Sequence, residues 1–303
     1  GRRRLTAGPA VAAAGRALGV EVERARRVAG GDINEAFRLR LADGREAFLK
    51  CRAGAPAGEY ELESSGLAWL GEVGGGLPVP AILAIVDEEP VRGLVLEWVE
   101  EGRLDGPGEE RLGSGLARIH AAGAPGFGAL PPGAPAGAPL RFGDAVELPA
   151  RAGAGDPPWW RVYGERIERL AALARDAGRL DHGAGAAIAA VVERLEQLVG
   201  PAEPPARVHG DLWSGNVLAD STGTPWLIDP AAHGGHREID LAMLRLFGSV
   251  SSRTLGAYED VLPLAPGHEE RVALWQLQPL LVHAILFGGS YGAAAGRAAA
   301  RYG

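Results

Sequence analysis

The sequence predicts an α+β chain in two lobes, a small β-rich N-terminal lobe and a larger, mainly helical C-terminal lobe. Three observations carry this. Residues 20–99 read as short alternating strands separated by glycine and proline turns. Most of the chain after residue 158 reads as helices with one apolar side. Within that helical half lies Val208-His209-Gly210-Asp211-Leu212-Trp213-Ser214-Gly215-Asn216, of the form H-x-D-x-x-x-x-N.

The elements follow in order. Residues 5–19 are Ala-rich with Leu5, Val11 and Leu18, which predicts a leading helix. Val20 to Val28 alternates as a strand, and Gly30-Gly31-Asp32-Ile33-Asn34 is a turn. Alternation resumes through Phe37, Leu39 and Leu41, Asp43-Gly44 marks a hairpin turn, and Ala47-Phe48-Leu49-Lys50 begins another strand. Two glycines before a strand let backbone approach a phosphate with no Cβ in the way. The turn lacks the full G-x-G-x-x-G, so it reads equally as a hairpin with a glycine bulge. Glu59 to Val73 predicts a helix with Tyr60, Leu67 and Leu70 on its apolar side. Strands are expected over Ala81 to Asp87 and Gly93 to Val99, the second running into Leu96-Glu97-Trp98-Val99-Glu100-Glu101. An apolar strand that turns acidic suits a hinge whose backbone could bind adenine. The predicted division is 1–96 for the N-lobe, 97–101 for the hinge and 102–303 for the C-lobe. In the C-lobe, helices are expected over Arg111 to Ala121, Trp159 to Ala177, Ala186 to Val199, Ile239 to Phe247, Glu269 to Phe287 and the Ala-rich tail after Tyr291. Residues 122–158 are Gly/Pro/Ala-rich and weakly patterned, a long loop of the kind that usually serves function.

Composition narrows the functions. The chain is 47% hydrophobic and 23% charged, ordinary for a globular protein. No apolar run is long enough to span a bilayer. Gly1-Arg2-Arg3-Arg4 leads into a mixed Ala/Gly/Glu/Arg segment, so no signal peptide is expected. A net charge of -7 argues against a nucleic-acid partner. Cys51 stands alone, which excludes an internal disulfide and fits a reducing cytoplasm. A monomer or weak dimer is expected. The rare residues say more. Lys50 is the only lysine, and Asn occurs only at Asn34 and Asn216. A chain that otherwise uses Arg has kept a lysine where a compact point charge, and not a planar fork, is needed.

The chemistry is concentrated around Asp211. An Asp and an Asn five residues apart on one tight loop can face a single phosphate–metal site. Asp211 can accept a proton from an attacking hydroxyl, and the oxygen of Asn216 can hold Mg²⁺. Thirteen positions after Asn216, the apolar run Leu227-Ile228 ends in Asp229, where a second metal ligand would stand. A lone H-x-D is as much at home in a cap or turn. With Asn216 and Asp229 in register, the set reads as the core of a kinase-like phosphotransferase. Glu63, thirteen residues beyond Lys50, is the carboxylate expected to hold that lysine on the phosphates, with Glu59 and Glu61 as alternatives.

The residues now resemble a known family. The strings Gly30-Gly31-Asp32-Ile33-Asn34-Glu35-Ala36, Phe48-Leu49-Lys50, Tyr60-Glu61-Leu62-Glu63 and Leu94-Val95-Leu96-Glu97-Trp98 carry the likeness in the N-lobe. Asp211-Leu212-Trp213-Ser214-Gly215-Asn216, Ile228-Asp229-Pro230-Ala231, Gly235-His236-Arg237-Glu238-Ile239-Asp240-Leu241-Ala242-Met243 and Leu286-Phe287-Gly288-Gly289 carry it in the C-lobe. Together they resemble the fructosamine kinases (ketosamine-3-kinases), within the aminoglycoside phosphotransferase and choline kinase-like group. The D-L-W-S-G-N and G-H-R-E strings are the specific ones. Tyr60 where Phe is usual, and the Pro/Gly/Ala stretch at 131–139, depart from the pattern.

The resemblance implies a protein-kinase-like bilobal fold and ATP- and Mg²⁺-dependent phosphorylation of the 3-hydroxyl of a small-molecule or protein-bound ketosamine. It implies that Gly30, Gly31 and Lys50 bind phosphates, that Glu63 holds Lys50, and that Glu97, Trp98 and Val99 contact adenine. Asp211 would be the base, and Asn216 and Asp229 would hold the metal. Trp213, Glu238 and His283 are the candidate substrate contacts. Trp213 could instead be a packing residue, Glu238 an ion-pair partner of Arg237 or another Arg, and His283 a satisfied core histidine. His209 is expected to brace its loop. Two other functions compete: the same fold acting on an aminoglycoside or amino sugar, and a nucleotide-binding protein without catalysis. Intact Lys50, Asp211, Asn216 and Asp229 weigh against the latter.

Overall fold

The structure is a computed structural model that describes residues 7–28, 34–143, 146–151, 157–248 and 250–303. The N-terminal lobe runs α1 (Ala7–Leu18), β1 (Val22–Arg27), β2 (Glu35–Leu41), β3 (Glu46–Ala53), α2 (Glu59–Gly71), β4 (Ile82–Glu88) and β5 (Val91–Glu97). Its strands form one five-stranded antiparallel sheet in the order β1-β2-β3-β5-β4. Strand alternation separates two cores. Phe37, Leu39, Leu49 and Val95 pack under Ala10, Ala13 and Ala14 of α1 on one face. Leu94 and Leu96 pack with Tyr60 and Leu67 of α2 on the other. Lys50 therefore leaves β3 on the α2 side, one residue out of phase with buried Leu49.

The C-terminal lobe continues with α3 (Gly106–Ala121), β6 (Leu140–Phe142), β7 (Val146–Leu148), α4 (Trp159–Asp176), α5 (His182–Glu193), α6 (Leu195–Leu198) and β8 (Ala206–Val208). Then come β9 (Val217–Ala219), β10 (Pro225–Leu227), β11 (His233–Gly235), α7 (Glu238–Leu246), α8 (Ser252–Glu259), α9 (His268–Trp275), α10 (Leu277–Phe287) and α11 (Tyr291–Ala299). Its main core joins Tyr163, Ile167, Leu170, Trp275, Leu277 and Leu281. A second core joins α3 to α2 through Leu116, Ile119 and Leu70 and reaches Leu212 of the H-x-D loop. No helix among the described residues is long and apolar enough to cross a membrane.

Where the structure departs from the sequence expectations, local chemistry explains it. Helix α3 starts at Gly106, not Arg111, because Asp105 caps it by accepting from Gly108 N at 2.7 Å, with Pro107 in the first turn. Helix α5 starts at His182 for the same reason, capped by Asp181. The apolar run from Glu269 to Phe287 is two helices, not one. Pro279 has no N–H to give the carbonyl four residues back, and the chain turns at Gln276 between α9 and α10. Helix α8 is an addition to the expected helices: eight residues are too few to show an apolar period, and Ser251 caps it through Thr254 N. The stretch 122–158 is no bare loop: it holds the β6–β7 hairpin and buries Phe127, Leu140, Phe142 and Leu148 in the C-lobe core.

Candidate active site

The H-x-D loop leaves β8 and is held from beneath by one carboxylate. Asp240, on α7, accepts from His209 N at 2.7 Å and from Gly210 N at 2.9 Å. It also meets His120 Nε2 of α3 at 3.1 Å, and His120 Nδ1 meets Tyr258 Oη at 2.8 Å. Gly210 sits at φ +83°, and a Cβ there would run into the Ala231 carbonyl, so the turn requires glycine. His209 is fully buried. Its Nε2 donates to Ile228 O at 2.9 Å and its Nδ1 accepts from Asp211 N at 3.3 Å. Both ring nitrogens are used, and burial lowers the ring's pKa, so His209 is neutral and braces the loop.

Asp211 and Asn216 meet as their spacing suggests. Asn216 Nδ2 donates to the Asp211 carbonyl at 2.8 Å and to Asp211 Oδ2 at 3.2 Å. This fixes the amide so that its oxygen is free of Asp211. Burial, and then the charge of Asp229, push the Asp211 carboxyl up to about 6. Asp229 follows β10 at φ 54°, a left-handed conformation that Asp tolerates better than most residues. Across the cleft, Lys50 Nζ lies 2.7 Å from Glu63 Oε2 and 3.0 Å from Asp229 Oδ1. Burial alone would neutralise this lysine, but Asp229 and Glu63 outweigh it and hold the ammonium charged. Glu59 pairs with Arg52 instead of Lys50. Gly30 and Gly31 lie outside the described residues.

Lys50, Glu63, Asp211, Asn216 and Asp229 line one cleft of about 1450 Å³ between the lobes, which Glu97, Trp98 and Val99 also line. The Glu97 carboxylate accepts from Ala81 N at 3.0 Å, Trp98 Nε1 donates to Glu100 at 2.8 Å, and the Arg38 guanidinium lies 4.3 Å from the Trp98 ring. A buried carboxylate, a lysine held by a second carboxylate, and the oxygen-bearing side chains of Asn216 and Asp229 face one cleft, a set of groups of the kind phosphoryl transfer uses.

The comparisons agree with that geometry. A sequence model of the family described as fructosamine kinase matches residues 10–132 and 151–302. The chain belongs to the fructosamine kinase family. It is a kinase. A probable ketoamine kinase of Enterococcus faecium is 32% identical over 267 residues, covering 88% of this chain and 90% of its own. A candidate fructosamine-3-kinase of Thermobifida fusca has a solved structure that matches at TM-score 0.83 and 39% identity, covering 96% of this chain and 98% of its own. A type I macrolide 2'-phosphotransferase matches at TM-score 0.64 and 19% identity, covering 97% of each chain, and shows the shared fold.

The family match skips 133–150, the stretch that builds the β6–β7 hairpin, and Leu140, Arg141 and Phe142 of that hairpin line the cleft. On the C-lobe side, the cleft of this fructosamine kinase family member is lined by several aromatic rings. Trp213 is no buried packing residue: it is 38% exposed, lines the cleft and meets the Phe247 ring edge-on. Its ring lies over Gly215, where any Cβ would collide with it. His283 is half-buried and lines the cleft beside Phe247, Phe287 and Tyr291. Its Nδ1 donates to Pro279 O at 2.8 Å, and burial lowers its pKa, leaving a neutral ring.

Glu238 must be corrected as a substrate contact. Its side chain is buried, both oxygens are taken by Arg271 at 2.6 and 2.9 Å, and Trp275 Nε1 donates to it at 2.7 Å. The ion pair is with Arg271; Arg237 pairs with Glu203. Asp240 is the important residue whose role the sequence did not reveal. It stands in the G-H-R-E-I-D string, but its partners lie 30 to 120 residues away.

Proposed function

We propose that this kinase transfers the terminal phosphoryl group of ATP to the 3-hydroxyl of a ketosamine, a fructosamine or ribulosamine, free or protein-bound. The observation that carries the reading is the chemical division of the cleft. Lys50, Glu63 and Asp229 form one ionic cluster in it, and Trp213, Phe247, His283, Phe287 and Tyr291 form a separate cluster of rings. Among the described residues, the acceptor end from Trp213 to Tyr291 offers no carboxylate beyond Asp211 and Asp229. A polycationic antibiotic would need acids there. A sugar with one amine needs aromatic faces for stacking and cation–π contact and a few polar groups.

In this reading Asp211 accepts the proton of the attacking hydroxyl, and Glu63 aims Lys50 at the phosphates. Trp98 and Val99 border the adenine. Asn216 and Asp229 would hold Mg²⁺: both offer hard oxygens, the amide oxygen of Asn216 points away from Asp211, and one oxygen of Asp229 is left by Lys50. When bound, the ion neutralises charge on the phosphates. Once the 3-phosphate is made, tautomerisation to the 1,2-enaminol makes the C3–O bond allylic. Elimination then releases inorganic phosphate, and hydrolysis returns the amine. Only the transfer itself requires the protein, in keeping with a site that has one base.

The test is phosphorus NMR of wild-type enzyme with ATP and a panel of fructosamine, ribulosamine, amino-sugar and aminoglycoside acceptors. The expected result is a ketosamine 3-phosphate that decays to phosphate and free amine. A stable ester on another hydroxyl, or transfer to an aminoglycoside and to no ketosamine, overturns the reading.

A further inference from the structure

Gln278 is only 5% exposed, yet it lines the acceptor end of the cleft from α10, with Pro279, Val282 and His283 of the same helix. Its amide oxygen is buried and meets no hydrogen-bond donor among the described residues. Buried polar atoms in folded proteins are nearly always paired, and one left unpaired is held at a cost. The cost is avoidable, because leucine has nearly the same size. Trp213, Phe247, Trp275, Val282 and Tyr291 line the same cleft, and the Trp275 N–H is given to Glu238. Neutral His283 has given its one N–H to Pro279. Turning the Gln278 amide about its terminal torsion, a soft one, breaks no bond of that oxygen.

We propose that Gln278 is a specificity residue for the acceptor: its amide binds one hydroxyl group of the sugar chain while the reacting hydroxyl lies against Asp211. An amide both donates and accepts, as a hydroxyl does, so the side chain can meet one hydroxyl in either sense. The aromatic wall gives area without direction. Gln278 gives direction, rejecting an acceptor of the same size that lacks the hydroxyl. The inference rests on the ketosamine reading and names which group holds the sugar.

The test compares wild type, Gln278→Leu and Gln278→Glu with a fructosamine and its 4-, 5- and 6-deoxy analogues. Gln278→Leu should raise the fructosamine KM about tenfold. It should leave the KM for ATP unchanged and should not lower the melting temperature, since no hydrogen bond of the oxygen within the protein is lost. Gln278→Glu keeps an acceptor oxygen and should retain much of the affinity. For one deoxy analogue, wild type and Gln278→Leu should become equal. An unchanged fructosamine KM overturns the proposal. So does a lowered melting temperature with the KM for ATP raised in parallel, which would make Gln278 structural. A penalty that persists on every deoxy analogue overturns the hydroxyl contact. If wild type phosphorylates no ketosamine, the functional reading fails first and this proposal with it. If wild type does and the variants do not discriminate, the proposal alone fails.

Discussion

At Asp211 the needs of the fold and of the reaction oppose each other. Its carboxyl titrates at about 6, raised by burial and by Asp229. A raised pKa means that the folded state disfavours the ionised form. The penalty is fully present above pH 6 and fades as pH falls toward the ordinary carboxylate value. Asp211→Asn should therefore be at least as stable as wild type at pH 7, gaining up to about 3 kcal/mol in denaturant unfolding. The same variant should lose phosphotransfer by ~10²–10⁴-fold while still binding ATP. In wild type the rate should fall as pH drops through about 6, because a base must be deprotonated to act. A flat profile from pH 5 to pH 8 would remove Asp211 from that role. Lys50 offers a second test. Its Nζ fits between Glu63 and Asp229 at 2.7 and 3.0 Å. A guanidinium is wider and planar, so Lys50→Arg should cut turnover strongly although the charge is kept. Unchanged turnover and ATP affinity would make the lone lysine an accident of composition.

Among the elements, the loop after β8 depends on α7. Asp240 is the only described partner for the His209 and Gly210 N–H groups, and it ties both to His120 on α3. Asp240→Ala would strand those donors in a buried place at a cost of roughly 1–3 kcal/mol each. Chemical unfolding should show that loss, and the surviving folded fraction should show a lower turnover with little change in the KM for ATP. A stable, fully active variant would mean that the loop holds its shape without α7. The Glu238–Arg271 pair plays a comparable part between α7 and α9, which is why a residue two positions from Asp240 serves packing and not substrate.

For the whole molecule, the site exists only where the lobes meet. Lys50 comes from the N-terminal sheet, Asp229 from the C-terminal lobe, and their hydrogen bond crosses the cleft. The two lobes have their own apolar cores. Excess chelator should therefore abolish phosphotransfer while leaving circular dichroism and unfolding unchanged. Asn216→Ala and Asp229→Ala should each raise the Mg²⁺ concentration needed or abolish activity. Full activity in chelator would exclude the metal role of both residues.

Fold class, most helices and strands, and the family follow from the order of residues alone, because these rest on periodicity and on short strings read within one segment. Lys50, Asp211, Asn216 and Asp229 were legible for the same reason: spacing on one loop, and rarity in the chain. The break at Gln276, the early start of α3 and the hairpin in 122–158 were less legible, since a proline, a cap or a short strand outweighs a weak pattern. Tertiary structure alone decided which carboxylates face the cleft. Glu238 and Asp240 share one short helix, yet one is spent on Arg271 and the other anchors the H-x-D loop. It alone placed Trp213 in the open, His283 at the cleft wall, and Gln278 beside them with its amide oxygen unpaired. A side chain's role depends on the partner that satisfies it, and those partners come from segments far apart in the chain.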